Sequence, residues 1–132
     1  MELERGLRTT GAVRTFASDP VPDETVYGIL DTARFAPSGG NRQAWRVVLV
    51  KDPDIRRRLR ELYLRGWYEY LAMGAAGLVP WAPITDRDAE RRARLAAGRL
   101  QAEAARGPGG FAEHLDLAPV LLVLLADLMC LV

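Results

Sequence analysis

The stretch Ala36-Pro37-Ser38-Gly39-Gly40-Asn41-Arg42-Gln43-Ala44-Trp45 constrains this chain most, because it must turn a helical pattern into a strand within one short loop. Ahead of it, Asp23 to Phe35 reads as a helix; behind it runs Arg46-Val47-Val48-Leu49-Val50. Gly39 and Gly40 let the backbone approach a ligand closely or take a positive φ. Ser38, Asn41 and Gln43 bring directional hydrogen-bonding groups, Trp45 a rigid aromatic anchor, and Arg42 and Arg46 positive charge. This composition suits a polar planar or phosphorylated small molecule. A plain helix-to-strand turn is the alternative.

At 132 residues the chain has room for one domain, residues 1–132, with a modest core of two or three layers. Its 18 basic and 17 acidic residues nearly cancel, so net charge argues neither for a nucleic-acid binder nor for an acidic partner. Cys130 is the single cysteine, so no intramolecular disulfide framework exists and a reducing, cytoplasmic compartment is expected. The start, Met1-Glu2-Leu3-Glu4-Arg5, has no secretory pattern. Leu117 to Val132 is apolar but holds Pro119 and Asp127 and is too short to span a bilayer, so Pro119 to Ala126 is expected as a buried strand. The apolar ending Leu128–Val132 is expected to pack on the core or an interface, or to mark a piece of a longer chain.

Glu2 to Arg8 predicts a short amphipathic helix with Leu3 and Leu7 on one side, ended by Thr9-Thr10-Gly11. Ala12 to Phe16 reads as a short extended piece. Asp23 is a good N-cap for the next helix, whose buried stripe is expected to be Val26, Ile29, Leu30 and Ala33. Trp45 to Val50 has strand character. Asp52 as N-cap with Pro53 at the first helical position starts the longest helix. Its apolar face should be Ile55, Leu59, Leu62, Trp67 and Leu71, with Arg56, Arg57, Arg58 and Arg60 mostly on a solvated face. After a break at Gly74 to Pro83, Thr85 and Asp88 resemble a capping box. Asp86 to Ala105 then predicts a helix with a thin stripe of Ala89, Ala93, Ala96 and Leu100, and Arg106 to Gly110 a flexible turn. Two strands and about four helices make an incomplete α+β or α/β domain.

Metal chemistry is poorly provided for, with one histidine, His114, and one cysteine. Ser38 lacks a nucleophile elbow, and Gly39 and Gly40 match neither a P-loop nor a dinucleotide fingerprint. No side chain is singled out as catalytic. In an enzyme of this composition a bound organic cofactor would carry the hard chemistry.

Two segments in order, Val13-Arg14-Thr15-Phe16 with Asp19-Pro20-Val21-Pro22-Asp23, and Ala33 to Trp45, resemble the N-terminal part of the FMN-dependent nitroreductase family. The resemblance covers Leu7 to about Tyr70 well and continues weakly through Ala118-Pro119-Val120. It implies a nitroreductase-like three-layer α+β fold, here incomplete, with a small central sheet flanked by helices. It also implies a homodimer with FMN in interface clefts to which both chains contribute. NADH or NADPH would be the hydride donor, and nitroaromatic, quinone or similar compounds the acceptors.

On the same resemblance Arg14 stands near the pyrimidine edge of the flavin, where a fixed positive charge favours the anionic reduced ring. Ser38 and Asn41 fall where the family touches the flavin or its ribityl chain, Gln43 lies beside them, and Arg42 stands at the cofactor's edge. The family's arginine and serine at the FMN phosphate are replaced by Thr10, Gly11 and Ala12, which bind phosphate without charge assistance. The family also runs to about 200 residues, so a truncated or partial chain is expected. Trp67, Tyr68 and Trp81 would stack on an acceptor or belong to the core or an interface. The alternatives are a noncatalytic flavin-binding or dimerising remnant of this family, and a small helical protein using Arg56 to Arg60 on nucleic acid.

Overall fold

In the computed structural model, which describes residues 2–127, five α-helices and one two-stranded sheet form an α+β arrangement. In chain order these are α1 (Leu3–Thr9), α2 (Asp23–Ala33), β1 (Trp45–Val50), α3 (Pro53–Ala75), α4 (Arg87–Leu95), α5 (Ala97–Ala104) and β2 (Leu121–Ala126). Leu128–Val132, including Cys130, lies outside the described residues.

The organising element is α3. It begins where its local chemistry dictates: the Asp52 carboxylate accepts from the Asp54 and Ile55 N–H groups at 2.9 Å each, and Pro53 follows as the first helical residue. Helices α4 and α5 and the turn at 115–117 pack on α3. The core includes Tyr68, Ala72 and Met73 of α3, Ala93 of α4, and Ala112 and Ala118.

The inward face of α3 differs from the apolar face expected. Leu59 and Trp67 are half-buried as expected, but Ile55, Leu62 and Leu71 are exposed, while Arg56, Arg60 and Leu64 are half-buried on the i, i+4 row that continues to Tyr68 and Ala72. The reason is the supply of partners. The Arg56 guanidinium donates to the Ala118 carbonyl, and Arg60 Nη1 to Asp116 Oδ2 at 3.1 Å. Both acceptors come from the turn before β2, and nothing comparable covers Ile55. The fit is incomplete, since Nε of Arg56 and of Arg60 and Oδ1 of Asp116 are buried without a partner.

Other boundaries shift for local reasons. Helix α2 starts at Asp23 with Pro22 as N-cap, because the Asp23 carboxylate is engaged by Lys51 Nζ at 2.6 Å. Val26 is buried and Leu30 half-buried, whereas Ile29 and Ala33 face solvent. Asp86, one residue after the expected Thr85, caps α4 by accepting from the Asp88 and Ala89 N–H groups. The helix expected over Asp86 to Ala105 divides at Ala96, whose N–H turns back to the Ala93 carbonyl at 2.9 Å, with Gly98 just beyond. Leu3 and Leu7 of α1 are exposed, and Ala12 to Phe16 is an exposed segment outside any strand.

Strands β1 and β2 pair antiparallel, Trp45 opposite Ala126 through Val50 opposite Leu121. Both faces are apolar, and both remain partly open at Val48, Leu124 and Leu125. A sheet apolar on both faces is one built to be covered on both sides.

Candidate functional site

The loop between α2 and β1 is shaped by its own side chains. A short 3₁₀ turn, Gly39–Asn41, follows Ser38, with Gly40 at φ 57°. Two non-glycine residues, Asn41 (φ 52°) and Gln43 (φ 49°), also adopt left-handed backbone. Such conformations are costly and persist where the surroundings hold them. Gln43 does that holding: its N–H donates to Ser38 Oγ at 3.1 Å, its Nε2 donates to Asn41 Oδ1 at 2.9 Å, and its Oε1 accepts from the Trp45 indole N–H at 2.7 Å. Ser38 and Gln43 thereby set the loop, while Asn41, Gln43 and Trp45 present it.

What they present is a cleft of about 640 Å³, within the range of small-molecule sites. Its lining adds Arg34, Phe35 and Arg46 to those three residues. Arg34 pairs with Asp31 at 2.9 Å and lies 5.0 Å over the Phe35 ring. Arg46 Nη1 donates to the Trp45 carbonyl at 2.8 Å. The cleft thus carries amides, aromatic faces and two guanidinium groups. The Arg42 side chain sits beside Gly40, outside this lining.

Arg14 lies elsewhere. It lines a second cleft of about 340 Å³ with Phe16, Gly109, Gly110, Phe111 and His114. Thr10, which ends α1, donates its hydroxyl to the Gly6 carbonyl, and the Ala12 carbonyl lies 3.5 Å from Arg14 Nη1. Within one chain Asn41 and Gln43 therefore line one cleft and Arg14 another, while Ser38, Arg42, Thr10 and Ala12 line neither.

The second cleft contains features that sequence reasoning missed. The turn expected to be flexible is tied down at two points: His114 Nε2 lies 2.8 Å from the Pro108 carbonyl, and the Gly110 N–H donates to Glu113 Oε2 at 2.6 Å. The other Glu113 oxygen accepts from the Tyr68 hydroxyl in α3. Burial first, then this hydrogen bond and the carboxylate charge, push the Tyr68 phenol up to about 12. The Glu113 carboxyl is held below its ordinary value, chiefly by the Tyr68 hydrogen bond, against an opposing contribution from burial. The available signal in sequence was weak: a glycine turn followed by an acid and the sole histidine.

Among the described residues, no group of three or more His, Cys, Asp or Glu is placed to hold a metal ion, and no helix is long and apolar enough to cross a membrane. Nor do Arg56 to Arg60 form a free basic patch: Arg56 and Arg60 are engaged against the turn before β2, and Arg57 pairs with Asp54.

The chain is 39% identical over 51 residues to iodotyrosine deiodinase 1 of Rattus norvegicus, covering 39% of this chain and 18% of that protein. It is 46% identical over 50 residues to an NADH dehydrogenase of Thermus thermophilus, covering 38% and 24%. Over 61 residues it is 31% identical to iodotyrosine deiodinase of Nematostella vectensis, covering 46% and 23%. These matches span about a quarter or less of each relative. Residues 7–129, from α1 to past β2, match the Nitroreductase family, and the chain belongs to that family.

Proposed function

We propose that this chain forms part of an FMN-dependent NAD(P)H oxidoreductase that reduces nitroaromatic, quinone or similar acceptors. The observation that carries the reading is the Ser38–Trp45 loop: an internally braced wall of amide, indole and guanidinium groups on a cleft of small-molecule size. Bound FMN would supply the redox chemistry, accepting hydride from NADH or NADPH and passing electrons to the acceptor. The protein's part is orientation and charge. Asn41 and Gln43 would contact the ring or ribityl chain, Ser38 would hold Gln43 in place, and Arg42 would stand at the edge. Arg14 would supply the positive charge that favours an anionic reduced ring.

The division between two clefts supports a homodimer, since a site shared between two copies would join the loop of one chain to the Arg14 cleft of the other. The partly open apolar faces of the sheet offer surface for such packing. The ring end of the cofactor fits the residues present. The phosphate end fits poorly, because the Thr10 hydroxyl is spent on Gly6, Ala12 offers only backbone, and Arg8 is paired with Glu4 at 3.0 Å. That poor fit favours, as a second reading, a noncatalytic flavin-binding or dimerising member of the family.

A visible spectrum separates the two. Purified protein mixed with FMN should retain a protein-bound flavin absorption that NADH or NADPH bleaches. Retention without bleaching supports the flavin-binding form of the second reading, and no retention after gel filtration sinks the first reading and leaves the second only as a dimerising chain.

A further inference from the structure

A further cleft, of about 400 Å³, opens where the end of α3 meets the junction of α4 and α5. Ala72 and Ala93 are buried at its floor, four more alanines extend its walls, and Arg92 and Arg99 stand exposed at its edge. Alanine methyls let α4 pack on α3 but are too short to fill the space beside that contact, so a groove remains.

The lining contains no aromatic ring, hydroxyl, amide or carboxylate; all of its side-chain polarity is guanidinium. Among the described residues Arg92 has no carboxylate partner. Arg99 meets Glu103 at 3.6 Å, with the two side chains 78% and 57% exposed, a pair that holds it weakly. The acids of α4 are committed elsewhere, Asp88 to Arg91 and Glu90 to Arg87 and Arg94. The cleft therefore offers a methyl-lined trough with uncompensated positive charge at one edge.

Such a site suits an apolar chain with an anionic head. A planar ring would find no aromatic face to stack on, and a sugar or nucleotide no partner for its hydroxyls. The row Ala89, Ala93 and Ala96 runs along about 10 Å of helix, a length that fits an extended alkyl chain.

We infer that this cleft binds the anion of a straight-chain carboxylic acid of medium length, its chain against the alanines and its carboxylate at Arg92 and Arg99. None of these residues lines the Asn41–Gln43 cleft or the Arg14 cleft, so the site is separate from the one proposed for flavin and does not depend on it.

Equilibrium dialysis of labelled octanoate against the flavin-free chain should show one saturable site. Unlabelled octanol, which has the chain without the charge, and acetate, which has the charge without the chain, should each compete at least about tenfold less well than unlabelled octanoate. Arg92→Gln should weaken octanoate by about tenfold, and Arg92→Lys should restore part of the loss. Ala75→Leu fills the trough from an exposed position and should weaken octanoate and octanol alike. Circular dichroism checks that each variant is folded. Absence of saturable binding, competition by octanol or acetate equal to that of octanoate, or an affinity unaltered by both Arg92→Gln and Ala75→Leu overturns the inference. Added FMN should leave the octanoate affinity unchanged; displacement by FMN would overturn the separate site while leaving the flavin reading standing.

Discussion

Two glycine turns line clefts in this chain, and they are held in shape by opposite means. In Ser38–Trp45 the side-chain braces come from within five residues, Ser38, Asn41 and Trp45 all bonding to Gln43, and the sheet adds one backbone tie, from the Asp127 N–H to the Ala44 carbonyl at 2.7 Å. In Gly107–His114 the key brace comes from across the fold, where Glu113 reaches Tyr68 of α3, 45 residues away in sequence. The side chains of the first loop set its turn locally, and β2 anchors its end. The second adds to its local braces one that requires α3 beside it, so the Arg14 cleft is tied to the helical half of the molecule and the Asn41–Gln43 cleft to the sheet.

Substituting the two glycines tests that contrast most strongly. Gly109→Ala forces a Cβ into Glu113 in addition to the left-handed backbone cost, and should lower stability by about 3 kcal/mol. Gly40→Ala meets only the Arg42 side chain, at 3.6 Å, and should cost about 1 kcal/mol. Urea midpoints with unchanged slopes measure both. Equal losses would remove the distinction between the turns.

A smaller effect is expected at Tyr68–Glu113, with a pH dependence of known sign. The folded Glu113 carboxyl lies below its ordinary value of 4.5, so its contribution is present above 4.5 and lost as pH falls through the folded value. The Tyr68 phenol lies above its ordinary 10.0, so stability falls as pH rises from 10.0 towards about 12. Tyr68→Phe should cost about 1–2 kcal/mol near neutrality by leaving a carboxylate oxygen without its partner. Glu113→Gln should flatten the acid limb, and Tyr68→Phe the alkaline one. Acid and alkaline limbs like those of the parent protein would show that this brace does not hold the turn.

Gln43→Gly removes the hub of the first loop while relieving its left-handed backbone, and should cost about 1 kcal/mol with a shift in Trp45 fluorescence. Thermal unfolding of the rest should stay cooperative. Smallest of all, Arg14→Ala at its exposed position should leave stability within about 0.5 kcal/mol. A larger loss would mean that Arg14 is structural rather than held ready for a ligand.

The same contrast explains what could be read in advance. The start of α3 was legible, since Asp52 and Pro53 act on the next two or three residues. So was the turn from helix to strand across Ser38 to Trp45. The inner face of α3 was misread because an apolar count treats arginine as outward, whereas Arg56 and Arg60 turn in to acceptors about 60 residues downstream. The break at Ala96 was missed because the alanine stripe runs through it without a change of spacing. Glu113 and His114 had no local pattern at all.

Sequence by itself determined the start of α3, the strand from Trp45, the polar loop and the family, because those rest on interactions between near neighbours and on the types of residue present. Tertiary structure alone decided which side of α3 faces inward, that Arg14 and Asn41 line different clefts, and that a glycine turn becomes a rigid wall. Each of those depends on a partner supplied by a distant segment, and no spacing within the turn or the helix encodes where that partner will be.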